Sequence, residues 1–322
     1  MKTTLLSRAS LALALTFFAA APQSRGGDLL LSAFASDAIA RYDSTLGTFS
    51  SFATAPGLMD GPTAMVYGGD GNLYVLCEFS HNVLRFNGTS GTFIDEFIST
   101  AALGAAGVTD PDDMELGPDG NFYLTSHGST VAAAIWKFSG TTGAFVSNFA
   151  TFGAAAHTHG LTLGPGGKFY LGDLTAGIIR QFNAVTGANL GTFAANPLLT
   201  LTGDLTFTPD NSLYVACDGN NGIQHFGPSG TFLGSLVAPG GAQSYWGILA
   251  DGGFLYVSNK ATDTLKKYTD TGVFVADITG GPGAFDIIPM ATPEPGAGGL
   301  LLAGLAGLGL RRRWKKPTLR VP

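Results

Sequence analysis

Asp and His residues occupy the first positions of several apolar segments in the middle of this 322-residue chain, and we call these first positions the segment openings. Oxygen ligands from separate segments suit a hard cation such as calcium, whereas two histidines suit zinc or another transition metal. One further opening carries a tyrosine and a tryptophan. The candidate ligand-binding residues, which share this position at a segment opening, are Asp112, Asp113, His157, His159, Asp204, Tyr245, Trp246 and Asp286.

The carboxylates also have a purely structural interpretation. An Asp beside a turn often accepts hydrogen bonds from nearby backbone, in this case from a neighbouring segment. His157 and His159 differ, because two residues that are two positions apart on a strand point to the same side. The sequence leaves both interpretations of the carboxylates open, together with the identity of any metal.

The openings belong to an internal repeat. An apolar strand, a turn such as Asp70-Gly71 or Asp119-Gly120 and a second strand recur five times, and these turn residues tolerate the positive φ that hairpins require. A polar residue then precedes an aromatic one, and successive aromatics are 44, 52, 44, 44 and 42 residues apart. A glycine leads into a last strand. Four strands in about 45 residues indicate the blade of a β-propeller.

The first and last repeats are incomplete in complementary ways. The unit that begins at Asp28 lacks its opening strand, whereas residues 284–288 form an opening strand with no unit after it. Pairing the two fragments closes the ring and removes exposed sheet edges. The sequence therefore predicts an all-β domain over residues 27–290, a six-bladed propeller with four-stranded blades and a ring closed by the C-terminal strand.

Composition supports this fold and excludes one class of partner. Charged residues make up only 12% of the chain and there are 47 glycines, which suits short strands and tight turns. Residues 27–292 carry 8 Lys and Arg against 22 Asp and Glu, a net charge of −14 that repels nucleic acid. Cys77 and Cys217 occupy the same repeat position on opposite sides of the ring, too far apart to form a disulfide.

Both ends of the chain have the composition of targeting segments. Residues 1–26 combine Lys2 and Arg8 with an apolar stretch and small residues, as a signal peptide does. Residues 291–322 begin with a proline-flanked acid and continue with an apolar run over 296–310, a predicted transmembrane helix of about 22 Å that is short for a bilayer. A basic cluster follows and should stay cytoplasmic. The residues that define this tail are Pro293, Glu294, Pro295, Arg311, Arg312 and Arg313.

This tail resembles the PEP-CTERM sorting signal. In that family a membrane-embedded exosortase is thought to recognise and cleave the tail, in bacteria that have an outer membrane and make exopolysaccharide. The resemblance implies an exosortase-type processing enzyme as a partner, transit through the inner membrane, and delivery to the cell surface or extracellular matrix. Exopolysaccharide or another surface protein is then the expected partner. The alternative is an ordinary C-terminal membrane anchor.

The repeat itself resembles NHL-type and streptogramin-lyase-like propellers, through cores such as that of residues 70–75. The lyases use His and Glu beside a divalent metal, and His159-Gly160-Leu161 is similar to one of their blade openings. No acid recurs at the end of the second strands, and no nucleophile-elbow motif is present. We therefore predict a non-catalytic surface or exopolysaccharide-associated protein that binds a carbohydrate, protein or cation. A metal-dependent lyase or lactonase of the same fold is the alternative.

Overall fold

Six four-stranded antiparallel sheets make up the part of the chain that the computed structural model describes, which is residues 27–126, 134–151, 158–219, 221–241 and 243–291. Within these described ranges, one α-helix, α1 (Thr100–Ala106), and two 3-10 helices, Phe34–Ser36 and Pro197–Leu201, lie in the connections. The strands in chain order are β1 (Leu29–Ala33), β2 (Ala38–Asp43), β3 (Thr48–Thr54), β4 (Pro62–Tyr67), β5 (Leu73–Cys77), β6 (Asn82–Phe86), β7 (Phe93–Ile98), β8 (Pro111–Leu116), β9 (Phe122–Ser126), β10 (Ala134–Phe138), β11 (Phe145–Thr151), β12 (Thr158–Gly164), β13 (Lys168–Asp173), β14 (Ile178–Asn183), β15 (Asn189–Ala195), β16 (Thr202–Phe207), β17 (Leu213–Cys217), β18 (Gly222–Phe226), β19 (Phe232–Val237), β20 (Tyr245–Asp251), β21 (Phe254–Asn259), β22 (Thr264–Thr269), β23 (Phe274–Thr279) and β24 (Ala284–Pro289).

The sheets are the predicted blades. Blade 1 has the strand order β24-β1-β2-β3, and blades 2 to 6 are the successive groups of four from β4 to β23. The innermost strands β4, β8, β12, β16, β20 and β24 pack against one another around a central channel. The prediction of an all-β, six-bladed propeller with four-stranded blades is confirmed.

Strand β24 closes the ring by pairing antiparallel with β1. Leu29 lies opposite Pro289 and Leu31 opposite Ile287, and the Met290 N–H donates to the Asp28 carbonyl at 2.8 Å. The predicted closure by the C-terminal strand is therefore present. Because β1 begins where β24 ends, both ends of the described chain leave the ring on the same face. We call this face the far face, and we call the opposite end of the channel, where the innermost strands start, the mouth.

Aromatic side chains join neighbouring blades. In three blades the repeated tyrosine of the second strand packs against a phenylalanine of the next blade, with ring centroids 4.6 Å apart for Tyr74 and Phe122 and 4.7 Å apart for Tyr123 and Phe169 and for Tyr170 and Phe207. These tyrosines are almost completely buried. The Tyr at the centre of the repeat is thus explained by packing between blades rather than by a binding role.

In four blades the glycine that precedes the last strand is required by close packing as well as by its backbone conformation, and these glycines are Gly91, Gly143, Gly187 and Gly230. Gly91 has a φ of 69°, and a Cβ on it would overlap the carbonyl oxygen of Phe52 in the preceding blade. Gly143 repeats the arrangement one blade further, against the carbonyl oxygen of Phe97. Only a residue without a side chain fits between the outer strands at these points.

The two cysteines are separate and buried. Cys77 ends β5 and Cys217 ends β17, and both are free thiols, which confirms the prediction that they do not pair. Burial raises the pKa of Cys77 to about 12, so this thiol stays protonated and unreactive at neutral pH.

The predicted targeting segments fall outside the described residues. The signal peptide over 1–26, the Pro293-Glu294-Pro295 motif, the apolar run over 296–310 and the basic cluster after it all remain predictions. Within the described residues, no helix is both long and apolar enough to cross a bilayer.

A chain that ends at Gly283 should lose a large part of its stability. Without β24 the side chains of Leu29, Leu30 and Leu31, which are completely buried, lose their cover on one side. Exposing three leucines costs about 5 kcal/mol, comparable with the whole stability of many domains. Thermal unfolding should show a melting temperature lower by about 10 °C or more. A chain that ends at Ala291 keeps β24 and is the matched control; equal melting temperatures for the two truncations would contradict the closure.

Candidate functional site

The starts of the six innermost strands meet at the mouth, so residues far apart in sequence share one small cavity. Six of the predicted residues line it. His157 lies outside the described residues. Tyr245 is 1% exposed and faces away from the channel, in an apolar cluster that also contains Tyr268. The residues that the cavity brings together are Asp112, Asp113, His159, Asp204, Trp246 and Asp286.

The cavity is very small. Its volume is about 20 Å³, which holds roughly one or two water molecules. A sugar ring or a lactone cannot enter the channel at this end without moving the strands. Any larger ligand therefore contacts the surface of the mouth.

Three carboxyl groups form a layer just inside the mouth. Asp113, Asp204 and Asp286 hold the same position on alternate innermost strands, β8, β16 and β24. Each accepts a hydrogen bond from the backbone N–H of the next innermost strand around the ring. The three donors are Leu161, Ile248 at 3.3 Å and Met65 at 2.7 Å, respectively.

Small residues hold the same position on the three intervening strands. They are Ala64 on β4, Gly160 on β12 and Gly247 on β20. A Cβ on Gly160 would lie 2.5 Å from the carbonyl oxygen of Gly203, and one on Gly247 would lie 2.9 Å from that of Phe285. The alternation of Asp with a small residue therefore lets each carboxyl group reach the backbone of the strand beside it.

Burial dominates the acidity of these groups. It raises the pKa of Asp286 to about 8, with a further contribution from Asp113, and raises that of Asp204 well above its ordinary value. The pKa of Asp113 rises to about 6, through burial and the nearby Asp112. Glu115, two residues further along β8, has a pKa of about 7 for the same main reason. Asp286 is thus largely protonated at neutral pH.

This layer does not fit a calcium ion. Calcium takes six to eight oxygen ligands and prefers ionised carboxylates. Here the carboxyl oxygens accept backbone N–H groups, for example Asp204 from Leu205 at 2.6 Å and from Ile248 on the next strand. Across the described residues, no three His, Cys, Asp or Glu side chains are placed to hold one metal ion. The structural interpretation therefore accounts for the hydrogen bonds of Asp113, Asp204 and Asp286.

The outer layer of the mouth contains a histidine–aspartate pair. The Nδ1 atom of His159 lies 2.8 Å from Oδ2 of Asp112, and both side chains are largely buried. Burial acts to lower the pKa of His159, but Asp112, with help from Asp113 and Glu78, outweighs it and raises that pKa. The pair holds the imidazole in one orientation, with its other face toward Trp246.

An arc of aromatic rings continues from His159 across the mouth. Trp246 packs edge-on against the imidazole, with centroids 5.0 Å apart, and its other neighbour Phe285 is 4.5 Å away. Phe285 stacks on Phe34 at 4.2 Å, and Phe34 meets Phe79 at 5.1 Å. Phe79 is 59% exposed, so the arc reaches solvent. We call these four residues, Phe79, Phe34, Phe285 and Trp246, the aromatic arc.

Gly203 leaves room for the aromatic arc to contact the His159–Asp112 pair. It occupies the outer-layer position on β16, between His159 on β12 and Trp246 on β20. A Cβ there would lie 2.8 Å from the carbonyl oxygen of Trp246. Because this blade contributes no side chain at the outer-layer position, the rings of His159 and Trp246 on its two neighbours come into contact.

Sequence reasoning did not single out several residues of the mouth. Phe34, Glu78, Phe79 and Lys260 lie in the turns between second and third strands, and Phe285 adjoins the predicted Asp286. Burial, with Asp112 close by, raises the pKa of Glu78 to about 7. An alignment of these turns across the repeats would have placed them on the face of the mouth.

Comparison with known proteins identifies the fold and no family. No protein-family model matches the chain, and no curated protein matches it. A catalytically inactive virginiamycin B lyase from Staphylococcus aureus, solved with quinupristin, is 18% identical with a TM-score of 0.57 over 76% of this chain and 78% of that one.

Two further structures are similar to the same degree. A chain of the nidogen/laminin complex is 16% identical with a TM-score of 0.63, over 81% of this chain and 97% of that one. A protein described as a putative gluconolactonase is 15% identical with a TM-score of 0.56, over 76% and 85% of the two chains. At these identities the likeness establishes a propeller fold and no activity.

The buried carboxyl groups predict that the protein becomes less stable between pH 5 and pH 8.5. Unfolded Asp and Glu have a pKa near 4. Because the folded pKa of Asp286 is about 8 and that of Glu115 about 7, their contribution is fully present below pH 4 and is lost as the pH rises through the folded values. Carboxyl groups with lowered pKa, such as Asp119 at about 2, change stability only below about pH 4.

Melting temperatures measured across this range should therefore fall with rising pH. Asp286→Asn should make the fall shallower, because an amide does not ionise. Asp270→Asn, an exposed position, is the control and should follow the wild type. A melting temperature that rises from pH 5 to pH 8.5 in the wild type would contradict the protonated state of the layer.

Proposed function

We propose that this chain is an exported, non-catalytic β-propeller that binds a carbohydrate at the channel mouth, on the cell surface or in the exopolysaccharide. The aromatic arc carries the proposal. Four aromatic side chains from three blades form a continuous platform that is partly exposed, beside the His159–Asp112 pair and the carboxyl group of Glu78.

This combination of groups suits a sugar better than a protein or a free cation. Apolar ring faces pack against the C–H faces of a pyranose, while carboxylate and imidazole groups accept and donate hydrogen bonds to its hydroxyls. A bare cation would find carboxyl oxygens in this layer that already accept backbone N–H groups. The small channel favours a ligand that lies across the mouth, as a section of a long polysaccharide can.

The direction of the chain ends is compatible with surface attachment. Both ends of the described chain leave from the far face, so an anchoring or sorting segment at either end would leave the mouth open. A negative net charge over the propeller disfavours nucleic acid as the ligand.

One observation favours the enzyme alternative, a metal-dependent lyase or lactonase. His159, oriented by Asp112, stands near Glu78, whose pKa of about 7 would let it exchange a proton at neutral pH. The fold is shared with a virginiamycin B lyase and a putative gluconolactonase. Loss of a hydrolytic or lyase activity on changing His159 and Asp204 together to Ala would favour the enzyme. Carbohydrate binding that persists in a chelator would favour the binding protein.

A glycan array probed with the purified protein tests the proposed function. We expect binding to a limited set of surface polysaccharides, unchanged by a chelator. Phe79→Ala removes the most exposed ring of the arc and should weaken the affinity about two- to tenfold, at a stacking energy of about 0.5–1.5 kcal/mol.

The control for this variant is Phe274→Ala, which removes a ring that is 52% exposed on the outer strand β23. It should bind like the wild type. Two results would overturn the proposed function: no binding to any glycan, or equal losses in Phe79→Ala and Phe274→Ala.

Processing of the C-terminal segment is a separate expectation. Glu294→Ala should leave the propeller folded but keep the full-length protein in the inner membrane, because exosortase-type processing requires the Pro293-Glu294-Pro295 motif. The wild-type protein should lose the segment beyond the motif and move outward. Mass spectrometry of the surface fraction measures this. Surface protein that still carries Arg311 and the residues after it would identify the segment as an anchor only.

A further inference from the structure

We propose that the aromatic arc is an ammonium-binding site, so that the carbohydrate bound at the mouth carries free amino groups. The class of ligand is a polymer of amino sugars, such as a partly deacetylated N-acetylhexosamine. This inference rests on the proposed function and narrows it. Three observations support it. The ammonium group of Lys260 already lies over the rings of the arc, the surrounding loops are acidic, and Lys260 forms no ion pair with a described carboxylate.

The ammonium group of Lys260 lies over three rings of the arc. Its Nζ atom is 4.5 Å from the centroid of Phe285, 5.3 Å from that of Trp246 and 5.4 Å from that of Phe34. A cation within about 6 Å of an aromatic centroid is attracted to the negative face of the ring, and a site with several such faces is selective for ammonium groups. The arc therefore has the geometry of an aromatic cage.

The loops around the cage supply the complementary charge. Lys260 is the only lysine or arginine in the loops on the face of the mouth, counted over the part of the chain that the structure describes. The same loops carry six acidic residues, namely Asp37, Asp60, Glu78, Asp110, Asp218 and Asp263. An incoming cation is attracted to this face, whereas a polymer of uronic acids is repelled.

Lys260 is an occupant that a ligand can displace. It is an exposed residue in the turn between β21 and β22, and its ammonium makes no ion pair with any described carboxylate. Moving a flexible lysine side chain into water costs little, because the ammonium regains its full hydration. A ligand ammonium that takes its place keeps the same contacts with the rings. Lys260 thus acts as a built-in competitor for the site.

The neighbouring features suit the remainder of an amino sugar. Phe79 extends the arc into solvent beyond Phe34, where the face of an adjacent ring in the polymer can stack. Glu78 lies in the same loop as Phe79. The backbone N–H of Glu78 donates a hydrogen bond to the Gly61 carbonyl at 2.8 Å, which holds this loop in place. A carboxylate there provides a counter-charge or accepts a hydroxyl hydrogen bond.

The test compares two probes, a fully deacetylated glucosamine hexasaccharide and its fully N-acetylated counterpart, by titration calorimetry with the purified protein. Lys260→Met keeps the apolar stem but removes the competing ammonium. We expect this variant to bind the deacetylated probe about three- to tenfold more tightly than the wild type does, with little change for the acetylated probe. Glu78→Gln should weaken binding of the deacetylated probe alone.

Lys267→Met is the matched control. Lys267 also lies over an aromatic ring, 3.7 Å from the centroid of Phe254, but close to the far face of the propeller. This variant should bind both probes as the wild type does. Melting temperatures of all variants establish that each is folded.

The outcomes separate this inference from the proposed function. Weaker binding of the deacetylated probe by Lys260→Met would show that Lys260 itself contacts the ligand, and would overturn the ammonium site. Equal affinity of the wild type for both probes would overturn it as well, while leaving carbohydrate binding at the mouth intact. Binding of neither probe by any variant overturns the amino-sugar assignment, and the glycan array then decides the proposed function independently.

Discussion

The antiparallel pairing of β24 with β1 is the constraint on which the rest of the structure depends. It joins the last described strand to the first, so that six innermost strands run in one direction and all start at the mouth. Residues as distant in sequence as Thr63 and Asp286 line one cavity for this reason. The same pairing sends both chain ends to the far face. Closure therefore assembles the mouth and keeps it clear of the ends.

The mouth has two layers with different physical roles. In the inner layer, buried carboxyl groups accept hydrogen bonds from backbone N–H groups of adjacent strands. These bonds fix the spacing of the blades. In the outer layer, the His159–Asp112 pair and the aromatic arc lie where solvent begins. The acidic residues inside the channel thus hold neighbouring strands together, whereas those in the outer loops are proposed to attract a ligand. The proposed ligand recognition therefore falls to the outer layer.

The sequence predicted the blades and their closure well, because a period of about 45 residues and complementary terminal fragments admit few other folds. It also predicted that Asp113, Asp204 and Asp286 converge. It left their role open, because the partner of a carboxyl oxygen depends on the strand beside it. Tyr245 packs in an apolar cluster with Tyr268 and not in the cavity that Trp246 lines, at a point where the strand register shifts between Tyr245 and Ile248. The sequence does not indicate Phe79 and Lys260 as site residues, because only the folded ring brings their turns together.

Hydrogen–deuterium exchange with and without the deacetylated glucosamine hexasaccharide tests the central claim most directly, since it reports which face binds without relying on any substitution. The account predicts that amides of the loops around Phe34, Glu78 and Lys260 exchange more slowly in the complex. Hairpin turns of the far face, such as that at Gly71, should exchange at the same rate with and without the probe. Protection confined to the far-face turns would contradict the assignment of the mouth as the binding site.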